Sequence, residues 1–174
     1  MTATVETGLW QLDATRSVVA VSHVTMWGMV TVKGAFTDVT GQGEARPDGT
    51  ISGAVTLEAA SLDTKHKKRD EHLRSADFFD VEHYPTLVFA VQDAAFRPND
   101  VVEVEGRLTV RGVSRPQTAT VKVTESHADA VTLTTEFTVD REPFGMGWNR
   151  LGMMRGLTTV TSTLRFTRTS ASSA

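Results

Sequence analysis

The sequence predicts an all-β fold, an antiparallel up-and-down barrel of about eight strands with one or two short helices. Threonine and valine recur where helical proteins carry runs of alanine, leucine and glutamate, and branching at Cβ suits the pleated surface of a sheet. Apolar residues also alternate with polar ones through most of the chain, which is the period of a strand. Tight turns separate these segments, as in a barrel rather than a βαβ fold.

Alternation predicts seven to nine strands, depending on how the amino-terminal region divides. The clearest segment is Val131–Val139, in which every second residue except Thr135 is a large apolar one. The glycine-rich segment Gly41–Gly49 is predicted to be a turn. Strand patterns occur at residues 9–24, 30–32, 51–57, 87–91, 102–110, 121–123, 131–139 and 164–166.

Two segments interrupt the strand pattern. Lys65–Phe79 lacks alternation and is rich in helix formers, so we predict a helix there. Pro143–Gly156 contains four glycines, three methionines and a tryptophan, and we predict a loop or a short helix.

Length and charge limit the classes of protein that this chain can be. A chain of 174 residues suits one domain, which we place at residues 1–168, followed by a flexible tail at 169–174. The net charge of −3 gives no long-range attraction for phosphate backbones or anionic membranes, so no nucleic-acid partner is expected. No signal-like segment or apolar window long enough to cross a bilayer occurs. The expected localisation is therefore cytoplasmic, unless a leader precedes this sequence.

The ionisable residues match no known catalytic spacing. His66 and His72 are six residues apart, whereas the two histidines of HExxH share one face of a helix. The chain has no cysteine, glycine-rich phosphate loop or GxSxG elbow. We therefore predict no catalytic residue, no metal site and no resident cofactor. A catalytic site assembled only by the fold remains the alternative.

Four motifs, in order along the chain, resemble the YceI family. The most specific is RDEHLRSADFFDVEHYPTLVF at Arg69–Phe89, followed by GRLTVRGVSRP at Gly106–Pro116 and DREPFG at Asp140–Gly145. The fourth is Trp10-x-Leu-Asp13, with Ser17 and His23 at the expected distances. One departure is Arg16, which stands where the family often has histidine before Ser17.

The resemblance implies a lipocalin-like barrel that encloses a polyprenyl chain, such as an isoprenoid quinone or a polyprenyl phosphate. We therefore expect non-catalytic binding and carriage of a long apolar isoprenoid-type lipid in the barrel interior. Two other functions stay open: a small enzyme acting on an apolar substrate, and a stress or interaction protein with a filled core. Strands apolar on both faces also need a cover, which a homodimer would provide.

Large apolar side chains are the candidates for the lining and mouth of a lipid tunnel. Methionine adapts to an irregular tail better than branched residues do, although the methionines, the two tryptophans and Phe144 could equally plug one end of the barrel as ordinary core. Phe36, Phe89 and Phe137 occupy alternating strand positions, which favours core packing. Two arginines near the methionines could meet a polar head group, or could simply be solvated. The candidate ligand-binding residues are Trp27, Met29, Phe36, Phe89, Phe137, Phe144, Met146, Trp148, Arg150, Met153, Met154 and Arg155.

The charged run Lys65–Glu71 is predicted to be a solvated helix face. Within it, Arg69 is predicted to pair with Asp77 or Asp80 and so hold the helix against the barrel.

Overall fold

A computed structural model describes residues 5–149 and 156–169 as a strand-rich fold with one α-helix, α1 (Lys67–Arg74). The strands are β1 (Gly8–Leu12), β2 (Val18–Thr25), β3 (Val30–Phe36), β4 (Val39–Ala45), β5 (Ile51–Glu58), β6 (Leu62–Asp63), β7 (Thr86–Arg97), β8 (Val101–Val110), β9 (Val113–Ser126), β10 (Ala130–Val139) and β11 (Thr158–Thr169). The last strand therefore ends one residue beyond the predicted domain boundary.

The strands form a closed antiparallel barrel of eight strands, as the alternation predicted. Its order is β1-β4-β5-β7-β8-β9-β10-β11, and pairing of β1 with β11 closes it. β2, β3 and β6 extend three of these strands. For example, β11 pairs with β1 through residues 166–169 and with β2 through residues 159–163, so β1 and β2 act as one interrupted strand.

A hydrogen-bonded kink at Asp13–Ser17 separates β1 from β2. The carboxylate of Asp13 accepts from the backbone nitrogen of Thr15 at 3.1 Å and from its hydroxyl at 2.7 Å. The hydroxyl of Ser17 donates to the carbonyl of Asp13 at 2.7 Å and accepts from the backbone nitrogen of Arg165 at 3.0 Å. Ser17 thus ties the kink to β11, and this explains the place of Asp13 and Ser17 in the amino-terminal motif.

The predicted turn at Gly41–Gly49 is wrong in its first half. Gly41 to Ala45 belong to β4, and the chain reverses only between Arg46 and Thr50. Glycine stands at position 41 because space is short: a Cβ there would lie 3.2 Å from the Cβ of Leu12. Gly41 and Gly43 are therefore small residues of a strand in the barrel wall rather than turn residues.

The predicted helix exists but is shorter than Lys65–Phe79. The helix α1 begins after His66, whose side chain accepts from the backbone nitrogen of Arg69 at 3.2 Å. It ends before Ser75, whose hydroxyl binds the carbonyl of His72 at 2.6 Å. Serine hydroxyls compete with the helical ladder in this way, and a series of turns follows as far as His83.

The predicted ion pair of Arg69 is wrong in its partner. Arg69 donates to the hydroxyl and the carbonyl of Thr64, both at 2.8 Å, while Asp77 accepts from His72 and Asp80 from His83, both at 2.9 Å. Arg69 therefore ties α1 to the end of β6 through hydrogen bonds to a buried threonine.

The interior is apolar but incompletely filled. Two clusters of buried side chains lie inside the barrel, one including Phe36 and Leu164 and the other Trp10 and Val121. Among the described residues no large side chain is completely buried. Closely packed cores do bury such side chains, so the interior must contain open space.

Candidate functional site

An apolar cavity of about 310 Å³ occupies the barrel. Inner-face residues of all eight barrel strands contribute to its wall, from Ala45, Val123 and Val131 towards one end to Val110 and Val139 towards the other. Its volume falls at the lower end of the range of small-molecule sites, about 300–1,000 Å³. The cavity runs along the barrel and offers apolar surface through most of its length.

Small inner-face residues make room for this cavity. Gly43 of β4 pairs with Gly53 of β5, and both line the cavity. Across the barrel, Thr135 and Ser162 satisfy each other with a hydroxyl–hydroxyl hydrogen bond of 2.8 Å. This pairing lets two polar residues stand in an apolar wall without leaving a buried polar group unsatisfied.

Four of the candidate residues are brought together around the cavity. Phe36, Phe89, Phe137 and Met146 all line it. The rings of Phe89 and Phe137 face each other with centroids 6.3 Å apart, although they lie on different strands. Their contact with a ligand remains a prediction.

Phe144 and Trp148 lie at one end of the barrel without lining the cavity. Phe144 is buried in the core cluster that contains Phe36. Trp148 packs edge-on against the ring of His72, with centroids 4.6 Å apart, and lies 5.5 Å from the ring of Phe78. Trp148 therefore packs against α1 and the turn that follows it at this end of the barrel.

The remaining candidates lie elsewhere. Trp27 and Met29 are exposed in the turn between β2 and β3 and do not line the cavity. Arg150, Met153, Met154 and Arg155 lie outside the described residues.

Arg141 is a cavity residue that the spacing of apolar residues did not reveal. Its guanidinium donates to the carbonyl of Met146 and lies 5.7 Å from the centre of the Phe78 ring. Burial lowers the pKa of Arg141, although Glu142 and Asp140 act in the opposite direction. The sequence feature that could have identified Arg141 as a site residue was its position in the DREPFG motif.

The backbone of Arg141 also organises the turn that follows β10. Its carbonyl accepts from the backbone nitrogens of Phe144 and Met146 at 3.2 and 3.3 Å. Gly145 ends this turn with a φ of 83°, a conformation that favours glycine. The motif therefore directs both Arg141 and Met146 into the wall at the end of the cavity.

Within the described ranges, no group of three or more histidine, aspartate or glutamate residues is placed to hold a metal ion. The same ranges contain no helix with the length and apolar character required to cross a membrane.

Comparison with known proteins identifies the family. The YceI-like domain profile matches residues 10–167. The chain belongs to the YceI-like domain family. Protein YceI of Escherichia coli O157:H7 is 39% identical over 69 residues, which are 40% of this chain and 36% of that protein. A UPF0312 protein of Vibrio cholerae is 34% identical over 87 residues, 49% of this chain and 46% of that protein. The alignments span less than half of these relatives.

Solved structures of YceI-like and related proteins have the same fold. BcnA of Burkholderia cenocepacia superposes with a TM-score of 0.79 at 23% identity, over 88% of this chain and 98% of that one. A polyisoprenoid-binding domain from Saccharophagus degradans gives a TM-score of 0.74 at 14% identity, over 94% and 100% of the two chains. At these identities the likeness concerns the barrel itself.

Proposed function

We propose that this YceI-like barrel binds a long apolar isoprenoid-type lipid, a polyprenyl quinone or polyprenyl phosphate, and carries it without changing it chemically. The observation that carries this proposal is the apolar cavity of about 310 Å³ inside the barrel. The solved relative from Saccharophagus degradans, described as polyisoprenoid-binding, supports this ligand class.

The physical basis of binding would be removal of the tail from water. A polyprenyl tail has almost no polar groups, so the cavity wall can recognise only its shape and its apolar surface. Each buried CH₂ contributes about 0.8 kcal/mol. Twenty such groups would contribute roughly 16 kcal/mol before the cost of ordering the tail is subtracted. We therefore expect loose selectivity for tail length.

The polar head would lie at the Arg141 end of the cavity. Arg141 contributes a charged side chain to a wall that is otherwise almost wholly apolar. A guanidinium suits a phosphate or a quinone oxygen. A tail longer than this cavity of about 310 Å³ could enter only if wall side chains such as Met146 changed rotamer.

Native mass spectrometry of protein purified from cells tests the proposal. A retained adduct of several hundred daltons, or stoichiometric uptake of added polyprenyl quinone recovered unchanged, is the expected result. Apoprotein that takes up no added quinone would contradict it. Recovery of a chemically altered lipid would instead favour the enzyme that acts on an apolar substrate.

A thermal-shift series separates carriage from a protein with a filled core. A ligand that binds only the folded state raises its melting temperature, so isoprenoids of increasing length should give increasing stabilisation until the cavity is full. A melting temperature unchanged by every isoprenoid would support the filled-core alternative.

A further inference from the structure

The turn between β2 and β3 presents exposed apolar side chains that the cavity does not use. The exposed fraction is 47% for Val24, 42% for Met26, 62% for Trp27, 84% for Met29 and 44% for Val30. We call residues 24–30 the hairpin tip. Residues 18–32 include no aspartate, glutamate, lysine or arginine. An uncharged, exposed apolar projection of this kind marks an interaction surface.

The backbone of the hairpin tip is strained. Met26 and Trp27 have φ values of 51° and 55°, and Gly28 follows with 94°. Large L-residues rarely adopt this left-handed conformation, because Cβ approaches the carbonyl oxygen. Such strain concentrates at functional positions. Here it occurs together with exposure of a tryptophan and two methionines.

The hairpin tip is continuous with one end of the cavity wall. Val21 of β2 lines the cavity, and the hairpin tip begins three residues later at Val24. On the neighbouring strand, Thr159 pairs with Ser22, and the same register places Leu157 beside Val24. Leu157 is 53% exposed, and Thr158, the next residue, lines the cavity.

Exposed lysines flank this end of the barrel. Lys33 follows the uncharged segment on β3. Because β3 pairs with β6 at Ala35 and Asp63, the chain after Asp63 runs back towards the hairpin tip. It carries three exposed lysines: Lys65, which pairs with the carboxylate of Asp63 at 3.0 Å, and then Lys67 and Lys68.

From these observations we propose that the hairpin tip inserts into the interface of a phospholipid bilayer. Tryptophan favours that interface, and lysines beside an apolar projection complement lipid phosphates. A second copy of this chain suits the hairpin tip less well than a bilayer does, because a two-fold contact there would bring identical lysine groups together. The purpose of this docking rests on the proposed function, since docking would place one end of the cavity against the membrane that supplies or receives the lipid.

Vesicle flotation with the full chain tests this docking. The vesicles are phosphatidylcholine mixed with a minority of phosphatidylglycerol. Replacing both Trp27→Ser and Met29→Ser should lower the partition coefficient about ten-fold or more, because two large apolar side chains no longer leave water. The matched control is Leu9→Ser in β1 at the opposite end of the barrel, where Leu9 is 51% exposed. This variant should float as the unchanged protein does.

Equal flotation of the double variant, or no flotation of the unchanged protein, would overturn the proposal. So would light scattering that shows a dimer dissociated by the double substitution, without vesicle binding. Uptake of detergent-solubilised polyprenyl quinone by the unchanged protein is measured separately. Flotation without uptake contradicts the proposed carriage alone, whereas uptake without flotation contradicts the docking alone.

Discussion

Gly43 of β4 lies opposite Gly53 of β5 on the inner face of the barrel, and no side chain projects from either into the cavity. The two glycines differ in the room around them. A Cβ at Gly43 would lie 3.4 Å from the carbonyl oxygen of Ser52, an ordinary contact. At Gly53 it would lie 2.6 Å from the carbonyl oxygen of Gln42. Position 43 can therefore accept a side chain that fills the cavity, and position 53 cannot.

Gly43→Leu should weaken lipid uptake at least about ten-fold, because displacing two CH₂ groups of the tail loses about 1.6 kcal/mol. Uptake of a polyprenyl quinone is measured by titration and native mass spectrometry. Thr40→Leu, on the exposed outer face of the same strand, is the matched control and should bind as before. Undiminished uptake by a folded Gly43→Leu protein would place the lipid outside this cavity.

Thr64→Val should destabilise the fold by about 1–3 kcal/mol. Thr64 is buried, and its hydroxyl accepts from Arg69 and donates to the buried carboxylate of Asp70. Valine keeps the shape but removes both hydrogen bonds. Urea denaturation measures the change in the free energy of unfolding. Thr37→Val, which removes an exposed hydroxyl bonded to Ser61, should change it by less than about 0.5 kcal/mol, and equal losses in the two variants would contradict this account.

Arg141→Ala should lower the free energy of unfolding by about 1.5–3 kcal/mol, the usual loss for a hydrogen bond to a charged group. Its buried guanidinium binds the carbonyl of Met146 and packs on Phe78, so both contacts disappear. Arg115→Ala removes an exposed arginine and should change stability by no more than about 0.5 kcal/mol. If the Arg141 variant unfolds at the same urea concentration as the Arg115 variant, the end of the cavity does not depend on Arg141.

His83 should titrate above its ordinary pKa of 6.5, because its ring hydrogen-bonds the carboxylate of Asp80, which raises its pKa. A histidine whose pKa is raised by folding stabilises the fold fully below 6.5 and loses that contribution as the pH rises through the raised value. NMR titration of the ring measures this pKa. Asp80→Asn should return it towards 6.5 while keeping a residue suited to the φ of 50° at that position. An unchanged histidine titration in this variant would contradict the pairing.

Local pattern was sufficient where one face of a strand is buried along its length. In β10 the alternation of Val131, Leu133 and Phe137 predicted both the strand and its inner face, and these residues line the cavity. The family motifs likewise predicted a closed barrel, because they occur in order over most of the chain. A period of two residues reports which side chains share a face, whatever lies opposite them.

Pattern failed where the meaning of a residue depends on what the fold brings near it. The glycines of β4 resembled a turn because glycine serves both for turns and for close approach, and only the partner strand distinguishes these uses. Trp27 and Met29 were predicted from their apolar character to form the mouth or lining of the tunnel. The hairpin places them in solvent beyond the cavity wall, and their contact with a ligand stays a prediction.

The amino-acid order alone therefore determined the antiparallel barrel, its family and most of its inward-facing residues, since these depend on local periodicity and motif. Tertiary structure alone decided that the barrel is hollow, that Arg141 is buried at one end of the cavity and that Arg69 binds Thr64. Cavity volume and burial are sums over side chains from distant strands, and no local segment of sequence contains that sum.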